Sequence, residues 1–160
     1  MKRMTFVLAM FALSLLVAST AFAQVTATHT LNLAVNAVTK ISTSAAPISL
    51  TIVDGVAGVD DLTSVNGSGT YSITHNKNTN MKITAQIDAN MPTDITLKTN
   101  LVSTKGSSEG VKTLSTTAVD VVTGIVKGAD ATRNAAYTLE ALASAGEWSG
   151  ARTVTLTLTD

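Results

Sequence analysis

The sequence predicts an all-β fold, a single antiparallel sandwich of seven to nine strands with Greek-key connections, and three observations support this. Apolar and polar residues alternate with a period of two over several stretches. Threonine repeatedly takes the polar position, which suits a pleated surface that faces water. Residues that favour turns separate the stretches. One face of each strand is therefore expected to lie in a core and the other to be wet.

The first 23 residues have the features of an export signal. Lys2 and Arg3 precede an apolar run over residues 6–17, and the segment ends in the small-residue pattern Ala21-Phe22-Ala23. The run is shorter than the roughly 20 residues of a bilayer-spanning helix. We therefore expect a signal peptide over residues 1–23 and a β-sandwich domain over residues 24–160. The mature protein is expected to be bacterial and either secreted or held at the cell surface, in an extracellular or periplasmic location.

Composition limits the partners of the mature chain. The sequence contains no cysteine, so its stability has to come from burial and hydrogen bonds rather than disulfides. Removal of Lys2 and Arg3 from eleven basic residues leaves nine, against eleven Asp and Glu, and a net charge of about −2. This balance argues against capture of nucleic acid or anionic lipid, because both need a basic face.

The first predicted strand of the mature chain is unusually long. An extended conformation from residue 25 to residue 41 would reach about 56 Å, whereas five or six residues are the norm for a strand. Such a strand either bends from one sheet of its own domain to the other, or part of it projects and is donated to the sheet of a neighbouring subunit. The apolar residues that share one parity are Val25, Ala27, Leu31, Leu33 and Val35, with His29 the polar member.

Later strands and turns follow in order along the chain. Period-two alternation predicts strands over residues 48–52, 71–73, 81–87 and 95–101. Turns or loops are predicted over residues 66–69, 76–80, 91–94 and 106–110.

The C-terminal third contains two less regular segments and one clear strand. Residues 119–126 are mostly apolar but include Gly124, which predicts a bulged or interior strand. Residues 129–145 are rich in alanine and intrinsically helical, but their alternation around Tyr137 and Leu139 favours a strand. The final strand is the clearest, since Val154, Leu156 and Leu158 alternate with threonines.

Few side chains suggest a catalytic or metal-binding role. Asp54, Asp60 and Asp61 surround two glycines and are candidate calcium ligands, although the loop lacks the pattern of an EF-hand and a solvated loop is the preferred interpretation. The two histidines, His29 and His75, have no partner at zinc-ligand spacing. No Gly-x-Ser-x-Gly, His-Glu-x-x-His or phosphate-binding glycine motif occurs. We therefore expect no enzyme activity, no cofactor and no metal.

Trp148 is the only tryptophan and lies in a glycine-bounded loop before the last strand. An exposed indole at this position could stack on a sugar ring or anchor a protein partner. The alternative is a ring folded over one end of the core.

The mature chain resembles the exported, threonine-rich, immunoglobulin-like sandwiches of bacterial surfaces. Residues 25–35 resemble the donor strand of pilus subunits, and residues 152–160, Arg-Thr-Val-Thr-Leu-Thr-Leu-Thr-Asp, resemble the closing strand of such domains and of WxL-type cell-wall domains. The resemblance implies a non-enzymatic structural or adhesive surface protein, a filament subunit that self-associates by strand addition. The alternative is a secreted module that binds a surface glycan or another ligand through Trp148 and residues 54–61.

Overall fold

The computed structural model describes residues 25–160 and confirms the predicted all-β fold, a single antiparallel sandwich with nine strands. The predicted signal peptide, residues 1–23, lies outside the described residues. The chain divides into two units, Met1–Ala34 and Val35–Asp160. In the first unit, residues 25–34 contain no helix or strand and are exposed. All strands of the described residues lie in the second unit. Within residues 25–160, no helix is long and apolar enough to cross a bilayer.

The strands form two antiparallel sheets. One has the order β1-β2-β8-β4-β6 and the other the order β5-β7-β3-β9. A short 3-10 helix, Ala143–Ala145, follows β8. The strand bounds are β1 Thr39–Thr43, β2 Val65–His75, β3 Met81–Ile87, β4 Ile95–Leu101, β5 Ser107–Ser108, β6 Lys112–Thr113, β7 Val119–Ile125, β8 Gly128–Ala141 and β9 Val154–Thr159.

The core lies between the facing surfaces of the two sheets. Alternate residues of β3 and β4 are buried, as the period-two pattern requires. Aromatic, branched and methionine side chains from five strands and one loop fill this layer. Its principal members are Tyr71, Ile73, Met81, Ile83, Ile87, Leu97, Leu101, Leu114, Val121, Val122 and Ile125.

Several local predictions are confirmed. The alanine-rich segment forms strand β8 as far as Ala141 rather than a helix. The interrupted apolar segment forms β7, with Gly124 at a φ of 64°. The predicted turns over residues 76–80 and 91–94 connect β2 to β3 and β3 to β4. The final strand is β9.

The predicted strand from residue 25 to residue 41 is wrong over most of its length, because strand structure begins only at Thr39. The physical reason lies at the end of β2, where His75 pairs with Thr39 and the chain then turns away. Beyond this last pair, the Asn76 side chain forms hydrogen bonds with the backbone of the N-terminal segment. Its Oδ1 accepts from the Val38 N–H at 2.6 Å, and its Nδ2 donates to the Asn36 carbonyl at 2.8 Å. Because β2 ends at His75, it offers no strand with which the residues before Thr39 could pair.

Two further predictions are wrong for a shared reason. Residues 48–52 form no strand, and residues 66–69 form no turn but belong to β2. Strand β2 continues through residues 66–69 because they pair with β8, and its two glycines leave room for residues 48–50 above the strand rather than at its edge. Residues 48–50 instead pack onto its inner face. The loop predicted over residues 106–110 also differs, since it contains the two-residue strand β5.

Candidate functional site

An open groove of about 540 Å³ lies at one end of the sandwich, within the second unit. Its floor is the inner face of β2, β4 and β8, where Leu97 and Tyr137 line the groove. One wall is the irregular segment 43–51, and the other is the loop that leads from Trp148 to Val154 at the start of β9. Only one lining residue, Arg152, is charged. The groove therefore offers mainly apolar and hydroxyl side chains to an occupant.

Two glycines of β2 position the wall formed by segment 43–51. A Cβ atom on Gly67 would lie 2.7 Å from Ile48 Cγ2 and 2.8 Å from Leu50 Cδ2, and one on Gly69 would lie 3.0 Å from Ser44 Oγ. These glycines were expected to make a turn. They serve instead to let a neighbouring segment approach a strand face closely, a use of glycine that alternation alone does not distinguish from a turn.

The opposite wall is built around Trp148 and Arg152. The Arg152 guanidinium carbon lies 5.1 Å from the Trp148 ring centroid, a cation–π distance. Its Nη2 donates to the Asn90 carbonyl at 2.9 Å. The indole lies against Gly150, where a Cβ atom would be 2.6 Å from Trp148 Cζ2. Trp148 is 38% exposed and stands outside the buried core cluster, so the ring forms part of the groove wall and is accessible there.

Strand β9 borders the groove and has a free edge. Among the described residues it pairs only with β3. Just before the strand, Asp88 N–H donates to the Thr153 carbonyl at 3.1 Å, and Asp88 Oδ1 accepts from the Thr153 N–H at 3.0 Å. This backbone hydrogen bond from Thr153 is the main cause that lowers the pKa of Asp88. Asp88 thus anchors the start of the free strand.

The register identifies the backbone groups on the free edge. In an antiparallel pair, the N–H and C=O groups of successive residues point alternately toward the partner strand and away from it. Because the Thr153 carbonyl accepts from Asp88, the odd-numbered residues of β9 point toward β3. The N–H and C=O groups of Val154, Leu156 and Leu158 therefore point outward, while their side chains pack against the core.

The predicted partner-binding residues of the N-terminal segment are all exposed. We call residues 25–35 the N-terminal arm. Val25, Leu31, Leu33 and Val35 are between 76% and 92% exposed, and Ala27 is exposed as well. His29, on the same parity, is also exposed. The arm contains no Asp, Glu, Lys or Arg. It is therefore an uncharged, alternating segment whose larger apolar side chains face water.

The candidate calcium residues are not brought together into a metal-binding group. Asp54 Oδ1 accepts from the N–H of Gly55, its own neighbour, at 2.8 Å. Residues 25–160 contain no group of three His, Cys, Asp or Glu side chains that could hold a metal ion. His75 is 1% exposed, and neither of its ring nitrogens has a hydrogen-bond partner among these residues. It stands alone at the end of β2 and forms no catalytic arrangement with a described neighbour.

A buried polar cluster centred on Asp130 was missed by the sequence analysis. Asp130 is 2% exposed, and its carboxylate accepts hydrogen bonds from the Ser103 hydroxyl at 2.7 Å and from the Thr104 N–H and hydroxyl at 2.8 and 2.7 Å. Arg133 Nε lies 2.7 Å from Oδ1. The three-residue spacing of Asp130 and Arg133 was the only available signal. The cluster holds the loop after β4 against β8, which is a structural role.

Tyr71 extends this cluster toward the core. Its hydroxyl donates to the Val102 carbonyl at 2.7 Å. Burial, together with the nearby Asp130 charge, raises its pKa to about 12, so the phenol stays protonated and remains a donor.

Comparison with protein-family models finds no match. A search of curated proteins likewise finds no relative. The functional proposal therefore depends on the groove, the free edge and the arm.

Proposed function

We propose that this protein is a non-enzymatic, exported structural or adhesive protein of the bacterial surface, and that it is a filament subunit assembled through its N-terminal arm. The observation that carries the proposal is the arm itself: an uncharged segment with apolar side chains on one parity, exposed and without strand pairing. Export is expected from residues 1–23. Self-association by strand addition requires no catalytic chemistry.

The energetics favour burial of the arm against a partner. Each leucine or valine that moves from water into an apolar site stabilises the complex by roughly 1.5–3 kcal/mol. Addition of a strand to a sheet edge also satisfies main-chain N–H and C=O groups in a ladder. An alternating segment benefits from apolar burial and from backbone pairing together. Every second side chain faces the core, while the backbone forms hydrogen bonds with the neighbouring strand. A linear series of subunits follows when each arm enters the next copy.

The first prediction concerns the apolar side chains at odd-numbered positions of the arm. In the chain from residue 24 onward, we expect the double variant Leu31→Asp/Leu33→Asp to weaken self-association by at least about a hundredfold, because two buried apolar contacts are lost and two charges would need desolvation. Light scattering after size-exclusion chromatography measures the assembly state, and electron microscopy shows whether filaments form.

The matched control adds the same charge to the other parity. The double variant Thr30→Asp/Asn32→Asp should assemble nearly as the unmodified chain does, since these side chains would face solvent in an added strand. An unmodified chain that stays monomeric at millimolar concentration would reject the proposal. Equal loss in both variants would show that charge, rather than the apolar parity, governs association.

A second candidate function is binding of a carbohydrate or another ligand at the groove, whose lining does not include residues 54–61. The observation that favours it is the accessible indole of Trp148 beside the Arg152 guanidinium. Aromatic rings stack on sugar faces, and a guanidinium donates to hydroxyl or carboxylate oxygens.

This alternative makes its own prediction. If a glycan panel identifies a ligand for the arm-disabled variant Leu31→Asp/Leu33→Asp, the further change Trp148→Ala should weaken that binding at least about tenfold, since a central aromatic contact contributes more than 1 kcal/mol. Trp148→Phe, which keeps an aromatic face, should weaken it less. Absence of any glycan binding, or unchanged binding after Trp148→Ala, would reject the alternative.

A further inference from the structure

We infer that the arm of a second copy adds to the free edge of β9 and occupies the adjoining groove. This inference rests on the proposed function, in which the arm is the assembly element. It deepens that function by naming the acceptor surface on the partner copy.

Four strands lie at the ends of the two sheets in the described structure, and three of them are protected. Strands β5 and β6 contain only two residues each, and β6 includes Lys112. Strand β1 has five residues, with Lys40 within it. Short length and lysine are the common means by which proteins protect a sheet edge from pairing with another chain.

Strand β9 has neither protection. It is the longest of the four edge strands, and its sequence, Val-Thr-Leu-Thr-Leu-Thr, contains no charge and no proline. Its pairing with β3 runs without a register shift from Val154 to Thr159. A regular, uncharged strand of β-branched and apolar residues pairs readily with another strand. The edge is therefore suited to a partner strand, and an uncovered edge of this kind would be an aggregation hazard.

The backbone groups of β9 match what an arm would bring. Val154, Leu156 and Leu158 each direct an N–H and a C=O away from β3, as the register requires. These six groups extend over about 13 Å of the edge, from residue 154 to residue 158 at roughly 3.3 Å per residue. The eleven residues of the arm would span about 36 Å when extended. The arm is thus long enough to cover β9 and continue past Val154 along the groove.

The groove also matches the arm in polarity. Its lining is apolar and hydroxyl-bearing apart from Arg152, whose guanidinium is already engaged with Trp148 and the Asn90 carbonyl. The arm contributes leucine, valine and alanine on one parity and carries no carboxylate or ammonium side chain. The arm would therefore bring no acidic or basic side chain into the groove, and the Arg152 guanidinium keeps its contacts with Trp148 and the Asn90 carbonyl. The opposite end of β9 lies beside a charged pair, Lys77 to Asp160 at 2.8 Å, and is less suited to an apolar strand.

The test supplies the arm in trans to a chain that cannot donate its own. The acceptor is the chain from residue 24 with Leu31→Asp/Leu33→Asp, labelled for NMR, and the probe is a synthetic peptide of residues 25–37. Exchange of amide hydrogens with solvent reports which backbone N–H groups become hydrogen-bonded. At saturating peptide, we expect the amides of Val154, Leu156 and Leu158 to exchange at least tenfold more slowly. The fluorescence of Trp148, the only tryptophan, should change in parallel.

Two controls sharpen the result. A peptide that carries the two leucine-to-aspartate changes should produce neither effect, whereas one with Thr30→Asp and Asn32→Asp should produce both. The outward amides of the other edge on this side, Thr39, Ile41 and Thr43 of β1, should keep their exchange rates. Their outward direction follows from the hydrogen bond of Ser44 N–H to the Thr70 carbonyl at 2.8 Å.

The outcomes separate this inference from the proposed function. If the unmodified chain assembles but the peptide protects β1 or leaves β9 unprotected, the acceptor assignment is wrong and assembly through the arm survives. If monomers of the unmodified chain already protect the β9 amides and the arm-disabled variant does not, the arm closes its own domain and both fail. If the chain neither assembles nor responds to the peptide, both fail as well.

Discussion

The variant Asp130→Asn is expected to lose about 3 kcal/mol of unfolding free energy at neutral pH, because hydrogen bonds to a buried charged group are lost and donors around it are left unpaired. The carboxylate faces only donors: the hydroxyls of Ser103 and Thr104, the Thr104 N–H and Arg133 Nε. An asparagine would place its NH₂ group against the Thr104 N–H or against the guanidinium. Either orientation opposes two donors within a nearly inaccessible site. Urea unfolding followed by circular dichroism measures the loss.

A control on β7, the strand that precedes β8 along the chain, isolates the effect of burial. Asp120 also forms an ion pair, with Lys82 at 3.2 Å, but its side chain is 43% exposed. Asp120→Asn should therefore cost less than about 1 kcal/mol. Similar losses in the two variants would contradict the structural role assigned to the buried cluster.

The destabilisation caused by Asp130→Asn is expected to depend on pH. Burial alone would raise the pKa of Asp130, but hydrogen bonds from Ser103 and Thr104 and the charge of Arg133 outweigh it and hold the pKa below its ordinary value. A lowered folded-state pKa contributes stability that is fully present above the unfolded value of about 3.9 and is lost as pH falls through the folded value. The stability gap between the unmodified chain and Asp130→Asn should therefore narrow below about pH 4. A constant gap down to acid pH would contradict this assignment.

The variant Gly106→Ala is expected to destabilise the protein by about 2–3 kcal/mol, through overpacking rather than backbone strain. A Cβ atom at this position would lie 2.6 Å from the Thr123 carbonyl oxygen and 2.7 Å from Ile125 Cγ1. Both atoms belong to β7, and the oxygen is part of the backbone, so relief requires the loop that carries β5 to move away from the sheet. Urea unfolding measures the loss.

Gly110 supplies the comparison for this variant. It lies in the same loop at a φ of 74°, with nothing within 4 Å of a Cβ atom. Asparagine tolerates the left-handed region, so Gly110→Asn should cost less than about 1 kcal/mol. If Gly106→Ala proved as mild as Gly110→Asn, the close packing of the loop on β7 would not be significant for stability.

Prediction from the sequence succeeded for strands whose side chains alternate between the core and solvent. Strands β3, β4 and β9 alternate regularly, so their inner faces were identifiable from the residues alone. The alanine-rich β8 was predicted against its intrinsic helical preference, because Tyr137 and Leu139 follow the strand period. Burial between neighbouring strands outweighs the helical preference of alanine.

The failures share a different cause. Residues 48–52 and the arm both alternate, yet neither forms a strand, since alternation describes which side chains could be buried and not whether an edge is free to pair. The glycines at positions 67 and 69 illustrate the same limit. Their role is close approach to Ile48 and Ser44, which depends on a segment that precedes them by about twenty residues.

Local information in the chain was enough to establish the fold class, the positions of most strands and the uncharged, alternating pattern of the N-terminal segment. These properties follow from side-chain period and turn chemistry, which act over a few residues. Three features required the folded structure: the free edge at β9, the groove between Trp148 and segment 43–51, and the cluster at Asp130. Each joins residues distant along the chain, and the order of strands in a sheet decides which backbone groups stay unpaired.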